Sequence, residues 1–390
     1  MKALCYNGKR DIRCEKVPDP VILNPRDAII KVTSTAICGS DVHIYGGHVQ
    51  PMEAGDILGH EFMGHVGEVG KDVTNLVIGD RVLVPFTISC GRCYNCEMGV
   101  TPACDNFNPK GWMTEKLFGY PVAALYGYSH LYGGYAGGQA EYVRVPYADF
   151  GLLKVTNELP DDKLLFLTDI FPTVYMAAEN ANVKPGDTVA VWGCGPVGQF
   201  CIKSAQLMGA NQIIAIDNMP ERLELARTKA GATHTINYQE VNVLEALADL
   251  TAGRGPDSCI DAVGMEAHGV SLLAKYEAVK QALKLQMDRP TVLWQMIRPC
   301  KKGGTLSLPG VYVGWIDKFP LGVIFGKGLT LKCGQTYIHK YMRELIGRVE
   351  SGEVVLDFII SHRLSLADGP DAYRMFTEKE DHCIKVVMTP

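Results

Sequence analysis

The run Gly193-Cys194-Gly195-Pro196-Val197-Gly198 constrains the fold more than any other feature, because of what flanks it. A β-rich stretch, Thr188 to Trp192, leads into it, and a helical pattern continues to Gly209. Glycines at this spacing let the chain turn sharply, let the backbone approach a pyrophosphate, and let a helix pack closely on a strand. Asp217 ends the next strand-like stretch, 19 residues beyond Gly198, where a carboxylate accepts hydrogen bonds from an adenosine ribose and repels a 2′-phosphate. The pattern predicts NAD rather than NADP, held by Gly193, Gly195, Pro196, Val197, Gly198 and Asp217, with the pyrophosphate at the helix N-terminus.

From Thr188 onward, short β-rich runs alternate with helical stretches: Thr188 to Trp192, Gln212 to Ile216, Thr233 to Ile236, Asp257 to Asp261, Thr305 to Leu308 and Leu329 to Cys333. Six strands with crossovers predict an α/β fold, a doubly wound Rossmann sheet whose ligand lies at the carboxyl ends of its strands. Residues 1–169 instead carry short runs (Ala28 to Val32, Arg81 to Val84, Ala140 to Val145) broken by Gly, Pro and Asp, and read as a β-rich domain. The tail holds helix candidates at Tyr341 to Val349 and Pro370 to Phe376 and a final strand, Ile384 to Met388. With six strands already assigned, the tail is expected to return to the first domain. The division is then 1–169 with 335–390, interrupted by 170–334, which agrees with 390 residues being more than one core usually supports.

Lys+Arg 38 against Asp+Glu 43 gives a net charge of −5 with no block of like charge, so a nucleic-acid partner is not expected. No apolar run reaches the ~18 residues of a membrane helix, and the opening Met1-Lys2-Ala3-Leu4 lacks a signal core, so the expected location is the cytoplasm. In that reducing setting, clusters among the 13 cysteines read as metal ligands rather than disulfides.

Cys90-Gly91-Arg92-Cys93-Tyr94-Asn95-Cys96, followed after seven residues by Cys104, is such a cluster. Four thiolates this close can complete a tetrahedron around one zinc, which leaves no position for substrate and makes the site structural. Iron–sulfur spacing is not met, since Asp105 stands where that pattern needs proline. Cys38, in Cys38-Gly39-Ser40-Asp41-Val42-His43, and His60, in Gly59-His60-Glu61-Phe62-Met63-Gly64, are donors suited to a second zinc with an open position. Asp169, in Thr168-Asp169-Ile170-Phe171-Pro172-Thr173, reads either as a helix N-cap or as part of a site near the domain join.

In this order, Cys38, Gly59-His60-Glu61, the four-cysteine lobe and the glycine fingerprint resemble the zinc-containing medium-chain alcohol dehydrogenases over essentially the whole length. The resemblance implies a GroES-like catalytic domain and a Rossmann domain, two zinc ions and NAD. By position, Cys38, His60 and Asp169 look like the catalytic zinc ligands and Glu61 like the neighbouring carboxylate. Ser40 and His43 look like the proton relay, Thr173 and Val263 like neighbours of the nicotinamide. The animal and glutathione-dependent members carry Cys where Asp169 stands. Stretches such as Gly137-Gly138-Gln139-Ala140-Glu141-Tyr142-Val143 and Asp261-Ala262-Val263-Gly264 look like the glutathione-independent formaldehyde dehydrogenases.

The implied activity is hydride transfer between an alcohol or hydrated aldehyde and NAD. Alternatives are a secondary alcohol, polyol or threonine-type dehydrogenase, an aldehyde dismutase that retains NAD, and, from another class, a non-catalytic zinc and NAD-binding redox sensor. A homodimer or homotetramer is expected. The aromatic segment from Cys104 to Gln139 is expected mostly to pack the zinc lobe, Lys385 to be exposed, and Cys194 and Cys333 to be buried free thiols. The spacer from Gly264 to Gly303 carries a helical pattern at Leu272, Tyr276, Val279 and Leu283.

Overall fold

The computed structural model describes residues 1–49, 51–265, 291–312, 316 and 319–390. The pattern at Leu272 to Leu283 lies outside them. The chain forms two compact units, Met1–Pro172 with Thr336–Pro390, and Thr173–Gln335. No helix among the described residues is long and apolar enough to cross a membrane.

The second unit is built on a six-stranded parallel sheet. Its order from edge to edge is His234–Asn237, Gln212–Asp217, Thr188–Trp192, Ser258–Asp261, Thr305–Leu308 and Thr330–Cys333. The six expected strands are all present, each within a residue or so of its expected ends. They were legible because a parallel sheet covered on both faces needs continuous apolar runs, such as the fully buried Val189, Ala190 and Val191. Strand order reverses between Thr188–Trp192 and Ser258–Asp261, the switch point where the carboxyl ends open a crevice.

The first unit holds a seven-stranded sheet whose path runs Leu153–Lys154, Arg81–Val84, Glu61–Val69, Ala28–Ala36, Val386–Thr389 and His362–Ser365, with Tyr142–Val145 also paired to Ala28–Ala36. The C-terminal tail therefore supplies two strands of this sheet. The nine-residue strand Glu61–Val69 escaped the periodicity argument because Gly64 and Gly67 interrupt its apolar pattern. Gly64 is required by its neighbour: a Cβ there would stand 2.0 Å from the Lys31 carbonyl oxygen. The hairpin Lys2–Gly8 with Asp11–Lys16 was likewise unexpected.

Register in this sheet brings distant residues to one end. Ala36 pairs with Glu61, Phe62 with Val84 and Val387 with Ala36. Continuing each pair by two residues sets Cys38 opposite Gly59, the neighbour of His60, and opposite Lys385, and sets Phe86 opposite His60. The Phe86 N–H donates to the Thr168 carbonyl at 3.2 Å, which draws in Asp169.

Candidate active site

Cys38, His60, Glu61 and Asp169 each offer one donor atom, and these four atoms lie within 4.8 Å of one another. Cys38 precedes the short helix Gly39–Tyr45. His60 turns Nε2 toward Asp169 Oδ2 at 3.3 Å and Ser40 Oγ at 3.2 Å, while Cys38 Sγ stands 4.0 Å from the same carboxylate oxygen. Thiolate, imidazole and carboxylate form the mixed donor set of an open zinc site. Burial disfavours an imidazolium at His60, but Asp41 and Cys38 outweigh it and hold the ring well above 6.5, so the surrounding negative charge favours a cation. The residues present fit zinc on donor chemistry and on charge.

The other face of His60 is held from behind. Asp41, fully buried, stands with Oδ1 3.2 Å from His60 Nδ1, and its Oδ2 accepts the Cys38 N–H at 2.9 Å. A carboxylate on the second nitrogen fixes the tautomer and ring orientation of a metal-bound histidine. Sequence reasoning missed Asp41, although an acid three residues after a ligand at a helix N-cap is a readable signal. Lys385 was misjudged. It is 1% exposed, and its Nζ lies 2.7–2.9 Å from the two Glu61 carboxylate oxygens. Burial alone would strip its proton, yet the charges of Glu61 and Cys38 more than offset this and raise its pKa. A single lysine inside the apolar run Ile384-Lys385-Val386-Val387 was the signal.

Aromatic rings enclose His60: Phe86 at 6.4 Å and Tyr128 at 6.2 Å between centroids, both edge-on. Of the aromatic segment, Phe107, Tyr126 and Tyr128 are buried, whereas Trp112, Phe118 and Tyr120 are exposed. Ser40 and His43 share one face of the Gly39–Tyr45 helix at i,i+3, and His43 is buried.

The four cysteines of the lobe form a second cluster. Cys90 to Cys96 and Cys93 to Cys104 are separated by 4.0 and 3.9 Å between sulfurs, close to the ~3.8 Å edge of a tetrahedron with 2.3 Å zinc–sulfur bonds. Backbone N–H groups of Cys90 and Arg92 and the Asn106 amide donate to these sulfurs. Its cluster neighbour Cys104 pulls the Cys96 thiol toward the thiolate form. Of the remaining cysteines, Cys194 is buried as expected, but Cys333 is exposed because it lies on an edge strand.

In the second unit the glycine loop has the shape of a phosphate cradle. Gly193 takes φ +88°, and a Cβ on Gly198 would stand 1.8 Å from the Gly193 carbonyl oxygen. Gly195 caps the helix Pro196–Leu207, with Pro196 in its first turn. Val197 is the next residue of that helix. Asp217 is buried and binds the loop itself, its two oxygens accepting Cys194 N–H at 2.6 Å, Asn218 N–H at 2.7 Å and Met219 N–H at 3.0 Å. With two oxygens and about four lone-pair sites, it keeps room for a ribose hydroxyl. Val263 packs against Gly193, and Thr173 lies in the first turn of the helix Ile170–Asn180.

Known proteins share this sequence pattern and fold. Residues 24–157 match the alcohol dehydrogenase GroES-like domain and residues 196–284 the zinc-binding dehydrogenase family. An uncharacterized zinc-type alcohol dehydrogenase-like protein, AdhB, of Bacillus subtilis is 40% identical over the full length of both chains. The formaldehyde dismutase of Pseudomonas putida is 36% identical over 96% of this chain and 94% of its own. The solved structure of alcohol dehydrogenase TADH from Thermus sp. ATN1 superposes with a TM-score of 0.85 at 32% identity, covering 100% of this chain and 99% of that one. The chain thus belongs to the zinc-containing medium-chain alcohol dehydrogenases and is an enzyme of that family, working with zinc and a nicotinamide dinucleotide.

Proposed function

We propose that the protein oxidises a small alcohol or hydrated aldehyde with NAD, near the formaldehyde-converting branch of its family. The convergence of Cys38, His60 and Asp169 carries this reading, because three protein donors leave one metal position for substrate, with the Phe86 and Tyr128 rings edge-on to His60. The 36% identity to a formaldehyde dismutase supports the small substrate.

Zinc, when bound, supplies the Lewis acidity that brings an alcohol proton into the neutral range. Cys38, His60 and Asp169 hold it, and Glu61, anchored by Lys385, stands ready as an additional carboxylate. The Ser40 hydroxyl accepts the substrate proton and passes it toward His43 on the same face of its helix. Gly193, Gly195, Pro196, Val197 and Gly198 receive the pyrophosphate, Asp217 selects NAD over NADP, and Thr173 and Val263 flank the nicotinamide. The Cys90, Cys93, Cys96 and Cys104 zinc is structural. The working form is a homodimer or homotetramer.

Mass spectrometry of the gently purified protein tests this reading, with two zinc ions per chain expected and one lost in Cys38→Ala. Incubation with formaldehyde and NAD should accumulate formate and free NADH. Equal formate and methanol without free NADH would instead identify a dismutase, in which hydride from one hydrated aldehyde returns to a second aldehyde through retained cofactor. Turnover confined to secondary alcohols, polyols or threonine would remove the formaldehyde assignment.

A further inference from the structure

Behind Asp41 a second layer of buried polar groups continues away from the metal position. Gln139 is fully buried, and its Nε2 donates to the Ala36 carbonyl at 3.1 Å and reaches Asp41 Oδ2 at 3.4 Å. Its Oε1 accepts the Tyr373 O–H at 2.8 Å. Tyr373 is also fully buried, on the helix Gly369–Glu378, with its ring 5.7 Å from that of Tyr45 at the end of the Cys38-capped helix. The path Tyr373, Gln139, Asp41, His60 thus runs from a C-terminal helix to the nitrogen opposite the metal-facing one.

An amide has two ends, and only one orientation suits this path. Asp41 needs a donor facing it, so Gln139 must present nitrogen there and oxygen to its other neighbour. The Ala36 carbonyl and the Asp41 carboxylate, which can only accept, enforce that choice, and the Tyr373 hydroxyl completes it by donating to the amide oxygen. The side chain also requires its route: a Cβ on Gly59, which takes φ +95°, would stand 2.3 Å from Gln139 Cγ. The glycine immediately before His60 therefore makes room for the glutamine behind it.

We infer that Tyr373 and Gln139 are positioning residues for the catalytic zinc site, locking the Asp41 carboxylate so that His60 keeps Nε2 aimed at the metal. This rests on the reading of Cys38, His60 and Asp169 as the catalytic zinc ligands. Removing the Tyr373 hydroxyl leaves a buried amide oxygen without its donor and loosens the hold of Gln139 on Asp41. The carboxylate then moves, and the imidazole it holds loosens. Outer-layer partners of zinc-bound histidine typically alter metal affinity by about 10–100-fold.

The two zinc ions of one chain make the test self-controlled. The holoenzymes of wild type, Tyr373→Phe and Gln139→Met are challenged with a zinc chelator, and release of each ion is followed. Both variants should release one zinc about tenfold faster than wild type while the four-cysteine zinc leaves at the wild-type rate. The cobalt-substituted Tyr373→Phe protein should show shifted visible ligand-field bands. Parallel acceleration of both zinc ions, as in general loosening or misfolding, overturns the inference, as does wild-type release in both variants. A wild type that holds only one zinc removes the underlying site reading and the relay with it. A wild type with two zinc ions and unaltered release in the variants refutes the relay alone.

Discussion

Lys385 shows how much one residue can decide. Its ammonium and the Glu61 carboxylate are both fully buried, and removing one partner of such a pair leaves an uncompensated charge. Lys385→Met is expected to lower stability by about 3 kcal/mol in urea denaturation. The double variant Lys385→Met with Glu61→Gln should recover most of that loss; if it does not, the lysine acts through packing on Phe166, whose ring centre is 5.7 Å from Nζ. Ligand residues were readable because zinc chemistry demands particular side chains at short spacing. Asp41, Gln139, Tyr373 and Lys385 were not read as a group, because each acts only through a partner that the fold brings from elsewhere. Gln139 and Tyr373, 234 residues apart, carried no local signal.

At the level of elements, the glycine loop separates two uses of glycine that look alike in the sequence. A Cβ at Gly195 would meet only Arg222 Nη1, at 3.6 Å, so Gly195→Ala should fold with unchanged stability yet obstruct the pyrophosphate, raising the KM for NAD at least tenfold. Gly198→Ala instead forces a side chain into the Gly193 carbonyl and should cost about 3 kcal/mol of stability. Thermal denaturation alongside NAD titration distinguishes the two, and equal destabilisation of both would contradict this account. The Rossmann strands were legible for a related reason: fully buried parallel strands leave an unbroken apolar signature. The strands of the first unit face two environments: the polar run Thr33-Ser34-Thr35 cut short the reading of Ala28–Ala36, and glycines fitted to their neighbours hid Glu61–Val69.

For the whole molecule, His339 sets an acid limit. It is buried and stacked on Phe150 at 4.7 Å, and neither ring nitrogen has a hydrogen-bond partner among the described residues. Burial pushes its pKa down to about 3. The unfolded imidazole, near 6.5, takes up a proton that the folded one refuses, so its share of stability is complete above pH 6.5 and is lost as pH falls toward 3. The slope is at most about 1.4 kcal/mol per pH unit. His339→Phe should flatten the dependence of urea stability between pH 6.5 and 5.5 and raise stability at pH 7 by about 1 kcal/mol. An unchanged slope would place the acid sensitivity elsewhere.

The Glu61–Lys385 contact closes over 324 residues of chain, and that separation has a kinetic meaning. Loop closure of an open chain grows costlier with the logarithm of its length, by about 0.6 kcal/mol per doubling. About half of that chain belongs to the second unit, and once Thr173–Gln335 has collapsed the segment left to wander is about half as long. The strand Val386–Thr389 should therefore dock late in refolding, after the Rossmann sheet has formed. Protection of Lys385 from an amine-modifying reagent would then serve as the clock for that final step.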